Sequence, residues 1–182
     1  FIPIAEETGL IVPLGAQVMN IAWKQLAAWR KLFPELPDLS MSINLSRKQF
    51  ASPDLLSQIL SAKNAAGVDA RHLRIEITES SIMHNPEQAT LMLREIRDLQ
   101  IQLLIDDFGT GYSSLSCLHQ FPVSGLKIDK SFIKGASERP EYAAVLGAIV
   151  MLTRTLELDL IAEGIETHEQ VQLLQSLNCD QV

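Results

Sequence analysis

Cysteine is nearly absent from this chain: Cys117 and Cys179 are the only two in 182 residues. They form neither a zinc-ligand spacing nor a disulfide framework, and they suit a reducing cytosol. Positive charge is also scarce. Lys and Arg number 15 against 22 acidic residues, for a formal charge of −7, and no Lys/Arg run occurs. A DNA or RNA groove held by backbone phosphates has little to build on, and an anionic ligand would need a cation to mediate. No apolar run reaches the ~18 residues of a membrane span, and no basic-then-apolar leader is present, so the domain itself is expected to make no membrane contact. An initiating Met is missing too. The chain starts at Phe1, which suggests a piece of a longer protein.

What remains is 47% hydrophobic and 20% charged, the profile of one globular domain with a sizeable core. Five stretches read as strands: "LSMSIN" (39–44), "LRIEIT" (73–78), "IQLLID" (101–106), "SGLKID" (124–129) and "LDLIAEG" (158–164). Most combine apolar runs with β-branched residues, as strands buried on both faces do. Helical patterns alternate with them. Residues 13–33 open with Pro13 and carry Leu14, Val18, Ile21, Ala22, Leu26, Trp29 and Phe33 on one stripe. Ser52-Pro53 starts a second helix that Gly67 ends. Asn85-Pro86 starts a third, with Ala89, Met92, Leu93, Ile96 and Leu99 inward. Pro140 begins a fourth, striped by Val145, Ala148, Ile149, Leu152 and Leu156, and Thr167 with Gln170 forms a capping box for the last. Strict β–α alternation means parallel strands with crossover helices, either as an open sheet or as a closed barrel.

Polar residues separate those two. Asn44, Glu76, Asp106, Lys127 and Glu163 stand near the C-terminal ends of successive strands, at the roughly 30-residue spacing of βα units. In a barrel of parallel strands such residues meet at one mouth; in an open sheet they spread along an edge. Five in a row favour the TIM-type barrel. The stretch "LLIDDFGTGYSSL" (103–115) runs apolar residues straight into Asp106 and Asp107. Collecting these carboxylates costs several kcal/mol per ion without compensation, and bound cations compensate. One amide and several carboxylates are hard oxygen donors, which suit Mg²⁺, Mn²⁺ or Ca²⁺. Two such ions ~4 Å apart are a common device for attack on a phosphodiester. Lys127 could hold a water or neutralise a phosphate oxygen, while Gly109 and Gly111 let the following loop fold tightly. His72, His84, His119 and His168 lie away from strand ends and read as surface or packing residues.

"FIPIAEETGLI" (1–11), "INLS" (43–46), "IEITES" (75–80), "DDFGTGYSSL" (106–115), "GLKIDKSFI" (125–133) and "IAEGIET" (161–167) together resemble the motifs of the EAL domain, the bacterial cyclic di-GMP phosphodiesterase family. The likeness spans residues 1–182. It implies an incomplete TIM-type (βα)8 barrel that hydrolyses cyclic di-GMP to linear pGpG with Mg²⁺ or Mn²⁺, two ions per site. By position it implies Asn44, Glu76 and Asp106 for one metal, with Asp106, Asp107 and Glu163 serving the second. Lys127 would orient or activate the water, and Glu163 and Glu166 match two catalytic glutamates of the late motif. Asp107 and Glu163 also face substrate. Glu79 would anchor the loop after Asp107, which is linked to dimerisation. Glu79, Glu166 and Asp129 also fit plain strand-end salt bridges.

The family's Glu-Ala-Leu is expected upstream of Phe1. "NCDQV" (178–182) has Asn178 where the family pattern has Gly, and Gln181 is not its expected glutamine. Two strands are expected before Phe1 and one after Val182, so the 182 residues alone are expected to fold poorly and lack activity. Partners implied are cyclic di-GMP, a second copy as homodimer, and sensory or GGDEF domains in the parent chain. The domain is expected in the cytoplasm, with the parent anchored in a membrane in some arrangements. A catalytically silent cyclic di-GMP receptor is the alternative from another class. Such members usually lack metal ligands or the loop, and neither is missing here.

Overall fold

The computed structural model describes residues 1–109, 118–177 and 179. The chain falls into two compact units, Phe1–Leu103 and Leu104–Val182.

The first unit opens with helix α1 (Ile2–Thr8), which Gly9 ends in the left-handed region at φ 78°. Helix α2 (Ile11–Leu32) follows. It starts two residues before Pro13, which therefore sits in the first turn, where the amide that Pro lacks has no helical partner to lose. Strand β1 (Met41–Leu45) leads through α3 (Arg47–Phe50) and α4 (Leu55–Ala66) to a 3₁₀ turn at Ala70–His72 and strand β2 (Leu73–Thr78). β1 and β2 pair in parallel, Ile43 against Ile75 and Asn44 against Glu76. Gly67 ends α4 at φ 63°, as expected, but the helix starts at Leu55 rather than at Ser52-Pro53. Two helices follow β2: α5 (Glu79–Met83) and α6 (Pro86–Asp98). Asn85 caps α6, its Oδ1 accepting the Gln88 N–H at 3.3 Å. Ala89, Leu93 and Ile96 are buried, with Met92 and Leu99 half-buried.

The face of α2 differs from the expected stripe. The structure buries Ile11, Met19, Trp23 and Leu26 and leaves Val18, Ile21 and Trp29 exposed. The helix carries apolar residues on nearly every side, so periodicity cannot select a face; packing against α4 does. Leu73, Ile75 and Ile77 of β2 are essentially sealed from water, each contributing about 1.5–3 kcal/mol by burial.

Strand β3 (Gln102–Phe108) begins at the end of the first unit, where the Arg74 guanidinium donates to Gln102 Oε1 at 2.7 Å. In the second unit it pairs in parallel with β4 (Gly125–Ile128), and β4 pairs in parallel with β5 (Asp159–Ala162). Helices α7 (Lys130–Glu138) and α8 (Pro140–Thr155) supply the crossover from β4 to β5, and α9 (His168–Ser176) closes the described fold. The expected capping box on α9 forms in both directions between Thr167 and Gln170. On α8 the buried residues are Leu146, Ile149, Val150 and Thr153. Of the expected stripe only Ile149 is fully buried, and Val145 is exposed. The reason is that of α2: an apolar helix takes its phase from its neighbours. No helix among the described residues is long and apolar enough to cross a membrane.

Candidate active site

Strand β3 delivers the carboxylates. Leu103, Leu104 and Ile105 are buried, so the core holds the backbone that leads into them. Then the ladder slips. Ile105 stands opposite Leu126, but Phe108 stands opposite Ile128, so Asp106 and Asp107 together face the single position of Lys127. This is a β-bulge, which adds one residue to a strand and re-aims the side chains around it. Asp107 takes the extra turn at φ 52°, a left-handed conformation that Asp tolerates better than most residues. Its N–H donates to Asp106 Oδ1 at 3.0 Å. Gly109 follows at φ 95°, and a Cβ there would stand 2.8 Å from the Phe132 ring, so the loop's start needs glycine. Gly111 and the rest of 110–117 lie outside the described residues.

Lys127 is 6% exposed. Its Nζ lies 3.4 Å from Asp106 Oδ1 and 2.5 Å from Glu163 Oε1, and those two carboxylates offer oxygens within 4.8 Å of one another. Glu163 sits one residue past β5, its N–H donating to the Ile128 carbonyl at 3.3 Å. Gly164 then turns at φ 69°. Partial desolvation pushes the Asp107 carboxyl up from its ordinary value, and the carboxylates of Asp106, Asp129 and Glu163 push the same way against Lys127. Negative charge is crowded here, and a cation already sits in the crowd.

In the first unit, Asn44 and Glu76 stand side by side across the β1–β2 ladder. Asn44 is exposed, whereas Glu76 is 5% exposed. Directly after Asn44, Ser46 and Gln49 form a reciprocal capping box on α3. Its Ser-x-x-Gln spacing is a capping-box signature already visible in the sequence.

The other expected residues are placed as follows. Glu79 opens α5 and is 6% exposed; most of the loop it is expected to anchor lies outside the described residues. Glu166 is exposed between β5 and α9, its N–H donating to Gln170 Oε1 at 2.7 Å. Asp129 caps α7, its Oδ1 accepting the Ser131 N–H at 2.9 Å. Among the histidines, His72 is buried, and His84, His119 and His168 are exposed. Cys179 is buried, its Sγ–H donating to the Leu160 carbonyl at 3.8 Å.

The carboxylates of the second unit are hard oxygen donors, which Mg²⁺ and Mn²⁺ take, and the Lys127 ammonium between Asp106 and Glu163 shows that they gather positive charge.

The EAL domain family matches residues 1–182. Signaling protein YkoW of Bacillus subtilis (strain 168) is 42% identical over 180 residues, 99% of this chain and 22% of the relative. The cyclic di-GMP phosphodiesterase PdeR of Escherichia coli (strain K12) is 35% identical over 170 residues, 93% of this chain and 25% of the relative. The chain thus spans about a quarter or less of these curated relatives. Among solved structures, the PaMucR phosphodiesterase in complex with c-di-GMP matches with TM-score 0.93 at 39% identity, over 99% of this chain and 72% of that one. The fold class is that of the TIM-type (βα)8 barrels, incomplete, with five parallel strands among the described residues.

Proposed function

The chain belongs to the EAL domain family, and from that membership we propose that it hydrolyses cyclic di-GMP to linear pGpG, as a second-messenger phosphodiesterase. The observation that carries this reading is the bulge at Asp106-Asp107 set against Lys127. It concentrates carboxylates around one buried ammonium, an arrangement that costs stability and is characteristic of functional sites. PdeR is named as a phosphodiesterase of the same compound.

Asn44, Glu76, Asp106, Asp107 and Glu163 are proposed to hold Mg²⁺ or Mn²⁺, two ions per site. When bound, such ions polarise a phosphoryl oxygen and lower the pKa of water. The chain's own groups do the rest. Lys127, fixed between Asp106 and Glu163, orients the attacking water and neutralises charge on a non-bridging phosphate oxygen. Glu163 accepts from Lys127 and holds that ammonium in place. Asp107, turned out by its left-handed backbone, faces the substrate. Glu166, exposed between β5 and α9, is proposed as a second catalytic glutamate beside Glu163, and Glu79 is proposed to steady the loop after Asp107. We place the domain in the cytoplasm, acting as a homodimer within a longer chain that carries sensory or GGDEF domains.

The test is hydrolysis of cyclic di-GMP by the full-length protein, followed by chromatography of the products. We expect pGpG with Mg²⁺ or Mn²⁺, and loss of turnover in excess chelator. Ca²⁺ should inhibit, being larger and looser in geometry. Full activity in chelator would sink the metal assignment. Tight cyclic di-GMP binding without hydrolysis would make the domain a receptor instead.

A further inference from the structure

The bulge in β3 ends in two left-handed residues. Asp107 holds φ 52° and Gly109 holds φ 95°, on either side of Phe108, which is buried and stands opposite Ile128. A bulged residue takes its place from the packing around it rather than from a regular ladder position. A non-glycine residue in this conformation persists only where its surroundings over-determine it. One such support reaches the chain at Gly109. A Cβ there would stand 2.8 Å from both Cε2 and Cζ of Phe132, in the first turn of α7, so one edge of that ring lies against the glycine.

The ring is itself held. The Phe132 and Tyr142 ring centroids are 6.0 Å apart with the planes tilted by 56°, within the range of favourable aromatic pairs. Tyr142 is seated on Gly135, where a Cβ would meet its Cδ1 at 2.4 Å. The Arg139 guanidinium lies 5.8 Å from the Tyr142 centroid, within cation–π reach. Helices α7 and α8 thus fix the ring that packs on the turn after Asp107. Neither ring is sealed in the core: Phe132 is half-buried and Tyr142 is 37% exposed. Such a pair contributes less by burial than a core pair would, and more by the placement of what it touches.

We propose that Phe132 is a positioning residue for Asp107: its ring, backed by Tyr142, holds Gly109 in its turn and so sets where the Asp107 carboxylate stands beside Asp106 and Lys127. The proposal rests on the reading of Asp107 as a carboxylate that meets metal and substrate. Gly109 lies two residues past Asp107, so a turn that swings there carries the bulge with it. Misplacement by about 1 Å at a site can cost roughly 100-fold in rate. Phe132 acts through Gly109 alone; its ring has no polar atom to offer a metal or a phosphate.

The test measures Mn²⁺ binding by EPR without substrate, and kcat and KM for cyclic di-GMP, in variants of the full-length protein. Phe132→Ala should weaken Mn²⁺ binding and lower kcat by about 10- to 100-fold, with KM changing less than kcat. Phe132→Tyr should act in the same direction, because its hydroxyl would project from Cζ, an atom already against Gly109. Tyr142→Ala, at a partly exposed position, should keep the fold and show a smaller loss of the same kind. Tyr142→Phe keeps the ring and should behave as the native protein does. Gly9→Ala is the control for destabilisation alone and should leave Mn²⁺ binding unchanged. Lower stability with normal Mn²⁺ binding and kcat in Phe132→Tyr and Tyr142→Ala would make the stack purely structural and overturn the proposal. A native protein that binds no Mn²⁺ would sink the metal reading instead. The positioning role is then read from hydrogen exchange at the Asp107 amide, which donates to Asp106 Oδ1 at 3.0 Å. Faster exchange there in Phe132→Ala supports the proposal, and unchanged exchange overturns it.

Discussion

Gln49 presses so closely on Gly15 that a methyl group there would stand 1.8 Å from Gln49 Nε2. Gln49 is also half of the capping box that starts α3 two residues after Asn44. Gly15→Ala therefore forces Gln49 out of its bond to the Ser46 amide. We expect a loss of about 1–2 kcal/mol in urea denaturation. In a Gln49→Ala background the same substitution should cost much less, because the clash and the cap are already gone. Equal costs in both backgrounds would show that Gly15 matters for another reason.

Replacing Lys127 tests the cluster without substrate. Lys127→Met leaves the oxygens of Asp106 and Glu163, within 4.8 Å of one another, with no ammonium between them. Metal-free protein should lose on the order of 2–3 kcal/mol, less than a fully buried pair because the Glu163 side chain is 45% exposed. Added Mg²⁺ should restore part of that, while turnover stays low. Asp106→Asn relieves the crowding instead, so we expect turnover lower by orders of magnitude with little change in melting temperature. Near-normal turnover in Asp106→Asn would remove Asp106 from the site.

Gly164 holds φ 69°, and a Cβ there would meet Lys130 Cβ at 2.6 Å, an atom too close to the backbone to swing away. Gly164→Ala should cost about 2 kcal/mol or more and shift its neighbour Glu163, so stability and turnover should fall together. Gly9 is the control. It holds φ 78° with nothing within 4 Å, so Gly9→Ala should cost about 1 kcal/mol and leave turnover alone.

Burial holds the His72 imidazole below its ordinary value of 6.5, helped by the nearby charges of Arg30 and Arg71 and opposed by Asp69 and Asp38. Its folded pKa is thus lower than its unfolded one. Below pH 6.5 the unfolded chain takes up a proton that the folded chain resists, so stability falls with pH from there down to the folded pKa. Above 6.5 the contribution is complete. Urea midpoints measured from about pH 8 to pH 5 should drop in that window, and His72→Gln should flatten the drop. An unchanged slope would assign the effect to other groups.

The five strands, the capping box at Thr167 and Gln170, the glycine stop at Gly67 and the row of polar strand ends were all readable in one dimension. Each depends on residues within a few positions of one another, where propensity and side-chain-to-backbone bonds act. Tertiary structure alone decided the rest. The inward faces of α2 and α8 could not be read, because both helices are apolar on several sides and only a packed neighbour selects one. The bulge that sets Asp106 and Asp107 against Lys127 could not be read either. "LLIDDF" contains no sign of a slipped register, since a register exists only between two strands, and the extra residue of β3 has meaning only beside β4. The pairing of residues distant in sequence, and the desolvation that comes with it, turned a run of strand-end carboxylates into a cluster around one buried lysine.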